Sequence, residues 1–346
     1  MSDSGHKEYN VGVSAPLTGP VESLGQWTVQ GMNIAIQEIN DAGGIRGKNT
    51  TLIVEDDKCV AAQGVDSVNK LVTIDNVDAL VVYCGAVTSA IVPKINETIP
   101  IYSISIRTEN LEGKYPFLFN IAGSPEQEIQ TLSETMKNQD IKKVAVFYQS
   151  DFFGQTYHNK FKRYFEEQGG IIAVDSSLSN LANPDFRTDL LKAKEANVDA
   201  IFTSFNAAQY AVILKQAKEL DMHVRFYSLW NTESKPLIDA AGNLTEGITY
   251  TTSFNPKENK AYDIFARKYY DRYHELPEYN AAAGYDTMMI IKNTLNICDT
   301  DRECMIRETN KMADFSGVTG SFDFVNQVAD REFFIKTIHN HEFIFK

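Results

Sequence analysis

Tyr9-Asn-Val-Gly-Val-Ser14, followed by Ala15-Pro-Leu-Thr-Gly-Pro20 and then by the run from Trp27 to Asn40, is the stretch whose reading decides the fold. The first segment reads as a buried strand, and the Pro- and Gly-bearing segment after it reads as a turn. In the third, Val29, Met32, Ile36 and Ile39 fall on one face of a helix. Asp41-Ala-Gly-Gly-Ile-Arg-Gly47 ends that helix, with glycine just past its last turn. The same rhythm continues through strand 51–55, helix 61–75, strand 79–83, helix 88–97 and strand 100–104. Strands alternating with helices in this way imply a parallel sheet covered by helices on both faces.

A second series starts at Ser124-Pro-Glu-Gln127, a serine cap with proline at the first helical position and glutamine three residues on. Helix 125–138 leads to strand Lys143-Val-Ala-Val-Phe-Tyr148, helix 154–168 and strand 171–175. Asn183-Pro184 is expected to cap helix 185–196, before strand 199–204, helix 207–220 and strand 224–229. Helices 259–273 and 280–297 and strands near 321–325 and 332–345 complete the chain. At 346 residues the chain is too long for one comfortable core. The fold class expected is α/β, with two doubly wound, Rossmann-like units. The late segment is too short for a third domain, so the chain should cross between units more than once. Ligands of open parallel sheets bind outside the carboxyl ends of the strands, and two such sheets facing one another would form a cleft that closes by hinge motion.

Composition narrows the function. The formal net charge of −13 disfavours nucleic acid and anionic membrane surfaces, which are bound through basic patches. No stretch approaches the roughly 18 apolar residues of a membrane helix. The opening Met1-Ser2-Asp3-Ser4-Gly5-His6-Lys7 is polar and has the look of a trimmed start, so a mature form is expected. There is no GxSxG, HExxH or GxxxxGK[ST] pattern to suggest an enzyme. Glu55, Asp56 and Asp57 follow a strand and read as structural loop residues rather than an acid/base or metal cluster. His339 and His341 are read as sharing one strand face, without a visible third metal ligand. No cofactor and no metal are expected.

The four cysteines are Cys59, Cys84, Cys298 and Cys304, none in a CxxC pair. Cys59 and Cys84 each follow a strand pattern, and adjacent strand ends bring α-carbons within disulfide range. Cys298 and Cys304 flank the polar loop Asp299-Thr-Asp-Arg-Glu303, where a short-loop bridge fits. Two disulfides would indicate an oxidising compartment; four buried thiols are the alternative.

Several stretches, taken in order, carry a resemblance. They are Val13-Ser-Ala-Pro-Leu-Thr-Gly-Pro20, Gly31-Met-Asn-Ile-Ala-Ile-Gln-Glu-Ile-Asn-Asp-Ala-Gly-Gly-Ile-Arg-Gly47, Glu55-Asp-Asp57 with Cys59, and Gly123-Ser-Pro125. Asp151-Phe-Phe-Gly154, Asp185-Phe186, Leu214-Lys-Gln-Ala217, Gly284-Tyr-Asp286 and Gly317-Val-Thr-Gly320 follow. Over essentially its whole length the chain resembles the leucine/isoleucine/valine-binding protein family, the type I periplasmic solute-binding proteins of ABC importers. The resemblance implies two Rossmann-like lobes joined by three crossovers, lobe 1 holding roughly 1–121 and 254–331 and lobe 2 roughly 122–253 and 332–346. It also implies a ligand cleft between the lobes and a Cys59–Cys84 disulfide.

The resemblance further implies site residues. The ligand's carboxylate would sit at the helix start after Tyr83-Cys84-Gly85-Ala86, where unpaired amides carry partial positive charge. Gly85 stands where a hydroxyl residue is common, keeping the amide but losing one donor. Thr88 and Ser89 read as cap residues. Ser105 matches a backbone contact. Arg107 stands where a small hydroxyl residue usually touches ligand, and a guanidinium there can pair a carboxylate in bidentate fashion; the alternative is a pairing with Glu109 or Glu112. In lobe 2, Phe153 replaces a stacking tyrosine and Asn206 falls near another contact. Trp230 stands where amino-acid-binding members often carry an acid for the ligand's ammonium. Asp286 either substitutes for that acid or braces its own helix. An unpaired buried ammonium is costly, so an aromatic or apolar carboxylate becomes as natural a ligand as an amino acid. The function expected is a monomeric, non-enzymatic binding protein feeding a membrane permease. It would be periplasmic or extracellular, and lipid-anchored in its unprocessed form. A ligand-sensing module of the same fold is the competing reading.

Overall fold

The computed structural model describes residues 8–95, 99–104, 111, 114–179, 183–257 and 259–346. The chain divides into two compact units, Met1–Ser124 with Phe254–Arg331, and Pro125–Ser253 with Glu332–Lys346.

The first unit begins with β1 (Glu8–Ala15), α1 (Glu22–Asp41), β2 (Asn49–Asp56), α2 (Ala61–Thr73), β3 (Ala79–Val82), α3 (Gly85–Ile91), β4 (Ile101–Ser103) and β5 (Leu118–Asn120). The second unit follows with α4 (Pro125–Asn138), β6 (Lys143–Gln149), α5 (Phe152–Glu167), β7 (Ile171–Leu178) and α6 (Arg187–Glu195). It continues through β8 (Ala200–Thr203), α7 (Ala207–Glu219), β9 (Arg225–Ser228), α8 (Lys235–Ala241) and β10 (Thr249–Thr252). The chain returns to the first unit for α9 (Lys260–Tyr273), α10 (Tyr279–Cys298), α11 (Arg302–Asn310), β11 (Phe315–Gly317), β12 (Gly320–Val325) and β13 (Val328–Asp330). It ends in the second with β14 (Phe334–His339) and β15 (Glu342–Phe345).

Among the described residues the first sheet has the order β11-β12-β13-β5-β4-β3-β1-β2 and the second β15-β14-β10-β9-β8-β6-β7. The βαβ strands pair in parallel, as the alternating pattern predicts, and every antiparallel pair of these strands includes one of the late strands β11 to β15. Leu80, Val81 and Val82 in β3 are wholly inaccessible to solvent. Burial of a side chain of that size contributes about 1.5–3 kcal/mol, so these strands anchor the core.

Glycine sets the tightest helix contact. A Cβ on Gly31 of α1 would lie 1.8 Å from the Ala281 carbonyl oxygen of α10, and one on Gly284 would lie 2.3 Å from that of Thr28. Only hydrogen fits at these two crossings, which explains both positions in the quoted motifs. Both expected bridges form: Cys59–Cys84 with α-carbons 5.4 Å apart, and Cys298–Cys304 at 5.5 Å. In the second bridge's loop the Asp301 side chain accepts the Cys304 amide at 3.0 Å and so caps α11.

Several sequence expectations are corrected. α1 starts at Glu22 rather than Trp27; Glu22 and Gln26 are exposed, so the opening turn looks polar although its Leu24 already packs on the core. The cap of α6 is Phe186, whose amide donates to Gln216 at 2.7 Å, rather than Asn183-Pro184. The segment expected as one strand over 332–345 is a hairpin turning at Asn340 and His341, with φ of 51° and 64°. His339 therefore ends a strand while His341 occupies the turn, so the two do not share a strand face. His339 bonds Glu246 and His341 bonds Asn243.

Candidate functional site

Each sheet has one place where the strand order reverses, and that is where the loops leaving neighbouring strands part to form a crevice. In the first sheet the reversal is at β1, between β2 and β3. The loops concerned are those after Ala15 and after Val82, the second being Tyr83-Cys84-Gly85. In the second sheet it is at β6, between β7 and β8. The loops there are Ser150-Asp151 with the start of α5, and Ser204-Phe205-Asn206 with the start of α7. The strand ends thus place Tyr83 and Gly85 at one switch point and Phe153 and Asn206 at the other.

In the first unit this end is tightly built. Ser14 at the end of β1 donates its hydroxyl to Asp57 at 2.7 Å, and Asp57 accepts the Cys59 amide at 2.8 Å. Lys58 and Cys59 both have left-handed backbones, φ 52° and 59°, so these carboxylate bonds hold a turn that would otherwise be disfavoured. Burial pushes the Asp57 carboxyl up, opposed by the bonds from Cys59 and Ser14. Partial burial acts the same way on Asp56, but bonds from Thr18, Leu17 and Lys58 prevail and hold it below the ordinary value. Glu55 pairs with Lys70. The acidic triplet is therefore engaged in turns and a surface ion pair. Among the described residues no group of three or more His, Cys, Asp or Glu is placed to hold a metal.

α3 begins at Gly85, three residues before the start read from the sequence, with Cys84 as its cap residue. Thr88 is consequently inside the helix: its hydroxyl bonds back to the Cys84 carbonyl at 3.1 Å and lies 3.4 Å from that of Ser103. It neither caps the helix nor projects from it. The Tyr83 hydroxyl donates to Asn280 at 3.2 Å, and burial raises its pKa. Ser105 and Arg107 lie outside the described residues.

Asp286 holds a turn of its own unit. It is fully buried; one carboxylate oxygen accepts the Val318 amide at 2.8 Å, and the other accepts the Thr319 amide at 2.9 Å and the Thr319 hydroxyl at 2.5 Å. Burial raises its pKa against those bonds and the charge of Arg331. Arg331 in turn donates to the Thr319 hydroxyl and the Ile121 carbonyl. Gly317 makes room for this carboxylate, since a Cβ there would lie 2.3 Å from it.

In the second unit the motif Asp151-Phe-Phe-Gly154 has a mechanical reading. The Asp151 side chain accepts the Gly154 amide at 2.9 Å and caps α5. Gly154 lets the helix start lie against the end of β6, since a Cβ there would be 2.0 Å from the Gln149 carbonyl oxygen. Phe153 is thereby presented half-buried, 4.9 Å from the Tyr157 ring and 6.4 Å from that of Trp230, edge to face with the latter. Trp230, also half-buried, opens the 3-10 turn Trp230–Thr232 after β9. Asn206 precedes α7 without a side-chain cap bond, and the neighbouring Phe205 carbonyl accepts from Asn231 at 2.9 Å.

Sequence reasoning missed the acid at this place. Glu128, in the first turn of α4, is 1% exposed. It accepts the Tyr157 hydroxyl at 2.7 Å, the Thr251 hydroxyl at 2.7 Å and the Trp230 amide at 3.4 Å. Burial pushes its carboxyl up to about 7, opposed by those three bonds. A signal was available: Glu128 shares its helix face with Pro125, Ile129, Leu132 and Met136, the buried stripe of α4.

Two doubly wound units, each presenting loops and helix starts at the switch point of its own sheet, define a binding protein of the type I class. The chain belongs to the periplasmic binding protein family, whose profile matches residues 8–339. It is 25% identical over 327 residues to the leucine-, isoleucine-, valine-, threonine- and alanine-binding protein of Pseudomonas aeruginosa, covering 91% of this chain and 85% of that one. Among solved structures it is similar to LivJ of Streptococcus pneumoniae, a branched-chain amino acid transporter substrate-binding protein in complex with isoleucine. That match has a TM-score of 0.89 and 22% identity and covers 97% and 98% of the two chains. It is also similar to a solute-binding protein of an ABC transporter from R. palustris in complex with benzoate, with a TM-score of 0.88, 16% identity and coverage of 98% and 95%. The resemblance to the leucine/isoleucine/valine-binding family is thereby borne out.

Proposed function

We propose that this protein captures a small, apolar, carboxylate-bearing solute and hands it unchanged to the membrane permease of an ABC importer of the branched-chain amino acid type. The observation that carries the ligand class is the pair of half-buried rings Phe153 and Trp230, 6.4 Å apart at the carboxyl ends of the second sheet's strands, with the buried Tyr157 packed behind Phe153. Flat apolar side chains at strand ends favour an apolar ligand body. The carboxylate would be received by the Gly85 and Ala86 amides and by Arg107, as the family resemblance implies. Asp286 is committed within its unit. The Trp230 side chain offers an ammonium no negative charge, and the acid behind it, Glu128, is 1% exposed with its oxygens engaged by Tyr157, Thr251 and the Trp230 amide. Amine-free acids of the benzoate type are therefore the favoured ligands, ahead of the branched-chain amino acids. The relatives support both: one similar structure holds isoleucine and another benzoate.

The protein would act as a monomer outside the cytoplasm, lipid-anchored before processing, without nucleic-acid partners and without chemistry of its own. A thermal-shift panel on ligand-stripped protein tests the ligand class. Benzoate-like acids and leucine-like amino acids go in separate wells, beside sugars and polyamines. Stabilisation by apolar carboxylates is expected, because a ligand bound only by the folded chain raises its stability by mass action. A response confined to sugars or polyamines would overturn the reading.

A further inference from the structure

We propose that Glu128 is the positioning residue of the aromatic group: its carboxylate fixes the Trp230 turn and Tyr157 in the arrangement that receives the ligand, so that ligand affinity follows the protonation of this one side chain. The inference rests on reading Phe153 and Trp230 as ligand-facing.

Glu128 ties four elements at one point. From α4 it reaches Tyr157 on α5 at 2.7 Å, Thr251 on β10 at 2.7 Å and the amide of Trp230 after β9 at 3.4 Å. Two of those three partners are the aromatic residues themselves, and the third aromatic, Phe153, packs on both. An ionised carboxylate only accepts, and here it faces two hydroxyls and one N–H that all donate. Once protonated, it must donate one bond itself. The Trp230 amide has no lone pair to take it, so the Tyr157 or Thr251 hydroxyl must turn round, and the amide is left facing a neutral acceptor. Bonds to a charged acceptor are the stronger ones. The arrangement is therefore held best when Glu128 is ionised.

The lysines on the surrounding elements have acidic partners other than Glu128. Lys160 on α5 pairs with Glu126, and Lys336 on β14 pairs with Glu233 at 2.6 Å. Tyr250 on β10 is buried. Glu233 is itself a buried acid, its pKa raised by burial, and its amide bonds the Trp230 carbonyl. A test must therefore separate Glu233 from Glu128.

Trp230 is one of two tryptophans, so a Trp27→Phe background makes its emission the only indole signal. The first arm is a pH titration of that emission without ligand, in this background and with Glu128→Gln or Tyr157→Phe added. A transition with a midpoint at about 7 is expected, since burial sets the Glu128 carboxyl there. Glu128→Gln should abolish it. Tyr157→Phe, which removes a bond favouring the ionised form, should move the midpoint upward. A transition that persists in Glu128→Gln assigns it to Glu233 and overturns the proposal. The second arm measures Kd for isoleucine and for benzoate. Affinity is expected to be about fivefold weaker at about pH 5.5 than at about pH 8.5, the factor given by trading charge-assisted for neutral hydrogen bonds. Glu128→Gln should show the weaker value at both. A pH dependence unchanged by Glu128→Gln contradicts the proposal. If neither solute binds at either pH, the ligand class is wrong, and the emission arm still decides the role of Glu128.

Discussion

Replacing Glu128 by glutamine should make the second unit more stable at alkaline pH. The reason is proton linkage. Burial moves the carboxyl from 4.5 in the unfolded chain up to about 7 in the folded one. A raised acid contributes stability that is fully present below the unfolded value and is lost as pH rises through the folded one, because between the two the folded chain holds a proton that the unfolded chain has released. The full span, about 2.5 pH units, corresponds to about 3.4 kcal/mol. Roughly 0.8 kcal/mol of it is already lost at about pH 5 by the same linkage relation, leaving about 2.5 kcal/mol between about pH 5 and about pH 8.5. Glutamine has the shape of the protonated acid and does not titrate. The stability of Glu128→Gln minus that of the unsubstituted protein should therefore increase by about 2.5 kcal/mol over that interval. Urea unfolding followed by Trp230 emission in the Trp27→Phe background reads the second unit alone, and taking the difference cancels every other titrating group. A difference that stays constant with pH, or falls, would refute the reasoning. A variant that is more stable yet binds more weakly would show that stability is given up here for function.

Other perturbations follow from single contacts. Gly31→Ala places a methyl group against the Ala281 carbonyl and should destabilise the first unit by about 1–3 kcal/mol, read by denaturant unfolding. Reduction should lower the melting temperature. Loss of Cys59–Cys84, with a sequence separation of 25, should cost about 3.5 kcal/mol, against about 2 for Cys298–Cys304 with a separation of 6; Cys→Ser pairs analysed separately check the order. Arg107→Ala should abolish binding of a carboxylate solute while circular dichroism and melting stay unchanged, and retained affinity would remove the arginine from the site.

The sheet architecture was legible because parallel strands buried on both faces write themselves as short apolar runs, and Ala79-Leu-Val-Val-Tyr83 and Lys143-Val-Ala-Val-Phe-Tyr148 are such runs. Helix starts were less legible. α1 opens after Val21 and α3 after Cys84, neither with a side-chain cap bond, so neither start carries the usual sign. Asp286 shows the limit for site residues. Its type and place fit an ammonium partner, but three bonds from residues 318 and 319, more than thirty positions away in sequence, commit it to a turn. Glu128 shows the opposite case. A carboxylate in a first helical turn reads as a solvated charge favoured by the helix dipole, and its inward direction appears only when it is placed on the stripe with Ile129 and Leu132. Its partners Tyr157, Trp230 and Thr251 lie 29, 102 and 123 residues away, which no local pattern links.

The most direct measurement is a calorimetric titration of the ligand-stripped protein with benzoate, isoleucine and glutamate in turn. Saturable binding of benzoate, tighter than that of isoleucine and with none of glutamate, is the result the account predicts. Binding of glutamate alone would contradict it, because a second charge would then be received by the half-buried rings of Phe153 and Trp230.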